Sequence, residues 1–90
     1  MRFEVKNPGG SILTLLRKAG YHSLRDSFVR PFGRSGYPRF HLYISQEKEV
    51  LVFNLHLDQK KPVYKGTSAH SGEYDSPIVL KEAERIKKTI

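Results

Sequence analysis

The chain has 90 residues, with 16 Lys or Arg against 9 Asp or Glu, so its formal net charge is +7 at pH 7. It contains no cysteine, which excludes a disulfide scaffold, a thiolate zinc site and cysteine catalysis. The length predicts a single domain over residues 1–90. No apolar run approaches the ~20 residues of a membrane helix and the start lacks a signal-peptide core, so we expect a cytoplasmic protein without a membrane partner.

The first third of the chain predicts a strand followed by a helix. Arg2–Lys6 alternates apolar and polar residues, which is the period of a half-buried strand. After a turn, Ser11 is a good N-cap and Gly20 a good C-terminal residue for a helix. Between them, the helical stripe consists of Ile12, Leu15, Leu16 and Ala19.

Residues 21–38 allow two interpretations. The segment 24–30 fits the edge strand of a sheet, and it equally fits a short helix capped by Ser23. Pro31 would end either element. Residues 33–38, rich in glycine, are predicted to form a loop.

A hairpin gives the clearest pattern of the chain. Residues 40–44 and Val50–Asp58 each alternate apolar and polar side chains, so each predicts a strand with one buried face. The charged residues 46–49 are predicted to form the turn. The result is an antiparallel pair whose other face is open.

The apolar pattern also predicts how the two strands pair. Placing Ile44 opposite Leu51 keeps apolar residues opposite one another, whereas a slip of one residue would not. This register puts His41 opposite Asn54, with His56 as a diagonal neighbour. The same open face carries Arg39, Tyr43 and Asp58.

The C-terminal third predicts a long polar loop over residues 59–75 and then a second helix. Ser76 is the expected cap and Pro77 the first helical residue. The apolar stripe is formed by Val79, Ala83, Ile86 and Ile90, and the charged residues of this helix, including Glu82 and Arg85, are expected on its solvent face.

Together these elements predict an α+β fold: a small antiparallel sheet of about three strands with two helices on one face. The order is α-β-β-β-α if residues 21–32 supply the third strand. It is β-α-β-β-α if Arg2–Lys6 supplies it. In both cases the helices bury one side of the sheet and leave the other to solvent or a partner.

The open face suits three chemistries. In metal-independent RNA cleavage, an imidazole of His41 or His56 takes the proton of a 2′-hydroxyl group while an arginine stabilises the charge on phosphorus. A metal site would combine these histidines with Asp58 and His70, but His-x-Asp followed by a distant histidine is weak metal spacing, so no metal or cofactor is predicted. The third chemistry is plain RNA binding.

The positive charge is concentrated in residues 17–39, which hold six cations against Asp26 alone. Five of these cations are arginines, whose planar guanidinium suits phosphate. We therefore predict RNA as the partner. The predicted RNA-binding residues are Arg17, Lys18, Arg30, Arg34, Tyr37, Arg39, Tyr43, Lys60 and Lys61.

The segment Leu15-Leu16-Arg17-Lys18-Ala19-Gly20-Tyr21, with the basic stretch and the strand histidine that follow it, resembles the HicA-type toxins. The resemblance implies an α-β-β-β-α fold like that of double-stranded-RNA-binding domains. It also implies metal-independent mRNA cleavage by His41 and restraint by an antitoxin-like protein partner.

The sequence thus predicts a small basic RNA-binding domain, with a HicA-like ribonuclease activity as its catalytic hypothesis. Two alternatives remain open at this stage. One is a non-enzymatic module that docks a protein on its open sheet face, and the other is a small metal-dependent hydrolase. Steep salt dependence of binding would distinguish RNA binding from protein docking, because phosphate contacts release counterions.

Overall fold

A computed structural model describes residues 1–32, 35–59, 72–73 and 76–90. Its elements, in chain order, are β1 (Arg2–Lys6), α1 (Ile12–Lys18), β2 (His22–Leu24), β3 (Ser27–Pro31), β4 (Arg39–Glu47), β5 (Val50–Asp58), β6 (Gly72–Glu73) and α2 (Pro77–Thr89). Neither helix in these ranges is long and apolar enough to cross a membrane.

The sheet is antiparallel, with five strands in the order β1-β5-β4-β3-β2, and the two-residue β6 pairs with the end of β5. The α+β class is confirmed, but the prediction of about three strands is wrong. Both segments that competed for the role of third strand are in the sheet: β1 pairs with β5, and residues 21–32 form two strands.

Residues 22–31 form a hairpin rather than the helix that Ser23 would have capped. Leu24 pairs with Ser27 across a two-residue turn, in which Arg25 has a left-handed φ of 54°. Val29 is 2% exposed, and β3 pairs with β4 along its length. A seven-residue helix is marginal by itself, whereas a strand here completes hydrogen bonds with two neighbours.

The β4–β5 register differs from the prediction by two residues. The turn is only Lys48 and Glu49, with Lys48 at a left-handed φ of 57°, so Glu47 pairs directly with Val50. Consequently Ile44 faces Phe53 rather than Leu51. The shift is even, and each side chain therefore stays on its predicted face.

Both helices lie on one face of the sheet, as predicted. Ser11 caps α1 by accepting a hydrogen bond from the Thr14 amide at 3.4 Å. Gly20, at a φ of +91°, ends the helix, and a Cβ there would lie 3.2 Å from Arg30 Nε. The shared core consists of Phe3, Leu16, Ala19, Tyr21, Phe40, Leu42, Leu51, Phe53, Leu55, Leu57, Val79, Ala83 and Ile86.

Helix α2 departs from the prediction at one charged position. Its apolar stripe packs on the sheet, but Glu82 is on the same side and is only 4% exposed. Its carboxylate is bound by Arg85, whose Nη2 also donates to the carbonyl oxygen of Ala19 at 2.6 Å. Glu82 is therefore buried instead of facing solvent, and together with the partly exposed Arg85 it joins the two helices.

Candidate functional site

The open face of the sheet gathers polar side chains from β3, β4 and β5. The observed register places His41 directly opposite His56 and Arg39 opposite Asp58. Because alternate residues of a strand point to the same face, these four side chains form one group. The predicted register had instead placed Asn54 opposite His41, with His56 as a diagonal neighbour.

Asp58 is the centre of this group. Its Oδ2 accepts from Arg39 Nε at 3.1 Å and lies 3.0 Å from His41 Nδ1. Its Oδ1 lies 3.0 Å from His56 Nε2. One carboxylate therefore holds two imidazoles and a guanidinium, and we name these four residues the Asp58 cluster.

The Asp58 cluster is largely removed from solvent, since its four side chains are between 12% and 19% exposed. Burial alone would raise the pKa of Asp58. Hydrogen bonds from His41, His56 and Arg39 outweigh burial and hold the pKa of Asp58 well below its usual range. The carboxylate is therefore ionised across the physiological pH range.

Ser27 extends the Asp58 cluster onto β3. Its Oγ lies 2.7 Å from His41 Nε2 and 3.0 Å from the carbonyl oxygen of Leu24, and the residue is buried. With His41 Nδ1–H donating to Asp58, the hydroxyl either donates to a neutral Nε2 or accepts from Nε2–H and donates to Leu24. Both ring nitrogens of His41 are engaged in either arrangement.

Two tyrosines border the Asp58 cluster. The Tyr43 ring, 45% exposed, stacks at 4.7 Å from the His41 ring and 5.8 Å from the His56 ring. The Arg39 guanidinium lies 4.5 Å from the centre of the Tyr37 ring. Next to them is a cleft of ≈ 440 Å³, lined by Leu24, Arg25, Asp26, Ser27, Arg39, His41 and Tyr43.

Only some of the predicted site residues meet here. His41, His56, Tyr37, Arg39 and Tyr43 are brought together. Arg30 lies on the helix side of the sheet, 3.6 Å from Glu82. Arg17 and Lys18 are exposed in the last turn of α1, also on the helix side. Outside the described residues are Arg34, Lys60, Lys61 and His70.

The sequence prediction missed three contributors. Asp58 was placed on the open face by alternation and considered as a metal ligand with the histidines, but it was not selected as a site residue because that ligand spacing is weak. Ser27 and Arg25 fall in the segment whose structure the sequence left open. No spacing rule marks them, since their proximity to His41 depends on the hairpin turn between them.

The same geometry makes a candidate metal site. His41, His56 and Asp58 each offer one ligand atom, and these atoms lie within 4.8 Å of one another. This was one of the chemistries considered from the sequence, although His70, its fourth member there, lies outside the described residues.

Comparison with known proteins adds no assignment: no protein-family model, no curated protein and no solved structure matches this chain. The resemblance to HicA-type toxins remains a prediction from the residues that carry it.

Proposed function

We propose that this protein is an RNA-binding domain whose contact surface is the cleft beside the Asp58 cluster. The observation that carries the proposal is the convergence of Arg25, Arg39 and Tyr43 on one cleft of the open sheet face. Guanidinium groups bind phosphate, and an exposed ring can stack on a base. The net charge of +7 supports a polyanionic partner.

Arg25 and Tyr43 have distinct roles in this proposal. Arg25 is exposed at the tip of the β2–β3 turn and lines the cleft, so it contacts phosphate from the edge. Tyr43 is held against two imidazole rings, which fixes its orientation before RNA arrives. A fixed ring loses little conformational freedom on stacking, which favours binding.

The chain offers a matched pair of variants for the test. Arg25 and Lys48 are both exposed cations at left-handed positions of two-residue turns, at different places on the sheet. Asparagine tolerates that conformation. We expect Arg25→Asn to weaken binding of a structured RNA and to lower the slope of log affinity against log salt by about one, with Lys48→Asn unchanged. Fluorescence anisotropy of the labelled RNA between about 50 and 200 mM salt measures the affinity and its salt dependence.

RNA cleavage by His41 is a second candidate, favoured by the hydrogen bond between His41 and the ionised Asp58. Such a pair orients an imidazole for proton transfer. However, His41 is 12% exposed and its Nε2 contacts Ser27, so proton transfer from a 2′-hydroxyl group requires that contact to break. Metal-independent cleavage and an antitoxin-like partner stay predictions.

One experiment separates these proposals. The full chain is incubated with labelled structured RNA in EDTA, beside His41→Ala, and read for both shift and cleavage. A salt-sensitive shift without cleavage supports the binding domain alone. Cleavage lost in the variant adds the ribonuclease. Absence of both outcomes overturns the RNA proposal, and docking of a protein on the open face would replace it.

A further inference from the structure

We propose that His41, His56 and Asp58 form a binding site for one divalent transition-metal ion, with zinc as the ion that fits best. The juxtaposition that carries this is the meeting of two imidazole nitrogens at one carboxylate, on facing positions of β4 and β5. The inference goes beyond RNA binding and does not depend on it.

The distances are close to those of a zinc site. Two ligands at ~2.0–2.1 Å from a tetrahedral ion lie about 3.3 Å apart. His41 Nδ1 and His56 Nε2 each lie 3.0 Å from an oxygen of Asp58. The two nitrogens face different oxygens of Asp58, and one ligand atom from each residue lies within 4.8 Å of the others. Binding one ion therefore requires the more widely separated ligand atoms to close to about 3.3 Å by side-chain rotation.

The donor set selects the class of ion. Imidazole nitrogen is a preferred ligand of Zn²⁺ and other late divalent metals, whereas Mg²⁺ and Ca²⁺ prefer oxygen. Two histidines and one carboxylate leave a fourth position for water or for an oxygen of a bound phosphate group. This arrangement is typical of reactive rather than closed structural zinc sites.

Ser27 supplies an independent argument. A histidine that binds metal through one nitrogen usually donates its other N–H to a neighbouring acceptor. With metal on Nδ1 of His41, Nε2–H donates to Ser27 Oγ at 2.7 Å, and the hydroxyl donates to the carbonyl oxygen of Leu24 at 3.0 Å. His41 Nε2–H and the Ser27 hydroxyl then both have an acceptor, so Ser27 supports the tautomer that metal binding needs.

Arg39 opposes metal binding, since its charge lies beside the ligands. Its Nε donates to Oδ2 of Asp58 at 3.1 Å. His41 Nδ1 faces this same oxygen, whereas His56 Nε2 faces Oδ1, which Arg39 Nε does not contact. The guanidinium therefore lowers the affinity and orients the carboxylate, so we expect replacement of Arg39 by glutamine to leave a site of at least equal affinity.

The test uses the full chain without a histidine tag and Co²⁺ as a spectroscopic substitute for Zn²⁺. We expect a visible d–d absorption that saturates at one Co²⁺ per chain, that Zn²⁺ displaces, and that Mg²⁺ does not affect. A chain that gives no such band with one equivalent of Co²⁺ overturns the proposal, because the cluster is then held by hydrogen bonds alone.

Variants establish which residues bind the ion. His56→Gln and Asp58→Asn should each lower Co²⁺ affinity at least tenfold, and Ser27→Ala should lower it by about 10–100-fold through His41. His22→Gln, at an exposed histidine outside the group of three, should bind as the wild type does. An equal loss in His22→Gln would show adventitious binding and overturn the site.

Separate control measurements report on folding and on RNA binding. Melting temperature without metal identifies any variant that fails to fold, and a rise of melting temperature with Zn²⁺ in wild type but not in His56→Gln repeats the assignment by a second readout. If RNA binding fails while the Co²⁺ band appears, the RNA proposal falls and the metal site stands. If RNA binds while no Co²⁺ band appears, the metal site falls and the RNA proposal stands.

Discussion

Two carboxylates, one on each side of the sheet, have similar surroundings but are bound by different kinds of side chain. Asp58, on the open face, is bound by two imidazoles and Arg39. Glu82, on the helix side, is bound by Tyr21 and Arg85, with Arg30 3.6 Å away. Each is mostly buried, and each has hydrogen-bond or ion-pair partners both from its own element and from elsewhere in the chain.

The donors around Glu82 keep their protons. Burial raises the pKa of Tyr21 far above its usual value, and its 2.7 Å hydrogen bond to Glu82 adds to that shift. The hydrogen bond to Glu82 raises the pKa of Arg85. A phenol and a guanidinium held this way offer neither a mobile proton nor a lone pair for a metal near neutral pH. The side chains beside Asp58 include two imidazoles, whose ring nitrogens are common metal ligands.

We therefore expect Glu82 to act mainly in stability, and Asp58 to act in the ligand binding proposed above. Glu82 connects α2 with the end of α1, because Arg85 bridges its carboxylate and the carbonyl oxygen of Ala19. Asp58 instead lies beside a cleft. Substitutions at Glu82 should consequently affect stability, whereas those at Asp58 should affect ligand binding and acid sensitivity.

The largest expected effect on stability is at Glu82. Glu82→Ala leaves the buried hydroxyl of Tyr21 without its acceptor and the partly exposed Arg85 without its partner. We expect a loss of about 3 kcal/mol in the free energy of unfolding, at the low end for a buried pair because the Arg85 side chain is 38% exposed. Urea unfolding followed by circular dichroism measures it. The control is Glu84→Ala on the same helix, where an exposed pair with Lys87 should contribute about 0–1 kcal/mol. Equal losses of stability in Glu82→Ala and Glu84→Ala would show that Glu82 does not connect the two helices.

Tyr21→Phe is expected to have the next largest effect. The substitution removes one hydrogen bond to a charged acceptor and keeps the buried ring, which predicts a loss of about 1.5–3 kcal/mol. Tyr43→Phe is the matched control, because its hydroxyl belongs to an exposed side chain on the other face. A Tyr21→Phe protein as stable as Tyr43→Phe would mean that Arg85 alone satisfies Glu82.

The sequence predicted local structure best where one pattern dominated. The two helices, β1 and the alternating faces of β4 and β5 follow from periodicity and caps that act within a few residues. Glu82 was also detectable in principle, since it lies three residues after Val79 and four before Ile86, inside the apolar stripe. A lone charged residue at such a spacing indicates a buried partner elsewhere in the chain.

What the sequence could not predict depended on contacts between segments. The strand count was wrong because β1 and the β2–β3 hairpin were treated as alternatives, and nothing local excludes both. The register was wrong because the length of the turn at Lys48 was overestimated. That error of two residues kept the faces but made His56 a diagonal neighbour of His41, and it did not place Arg39 opposite Asp58.

The smallest expected effect is on the pH dependence of stability, and it concerns Asp58. Because its neighbours lower the folded-state pKa of Asp58, the carboxylate contributes stability above the unfolded value of ~3.9, and that contribution is lost as pH falls through the folded value. Asp58→Asn should therefore remove part of the decline in stability below about pH 4, measured by urea unfolding at each pH.

Asp26→Asn, at an exposed turn carboxylate on the same face, is the control for that pH series and should keep the wild-type decline. If the free energy of unfolding declines equally at acid pH in wild type and in Asp58→Asn, the imidazoles and Arg39 do not hold Asp58 ionised. The metal site would then lose its preformed anionic ligand. A smaller decline of the free energy of unfolding in Asp58→Asn, but not in Asp26→Asn, would identify Asp58 as the charge around which both imidazoles are arranged.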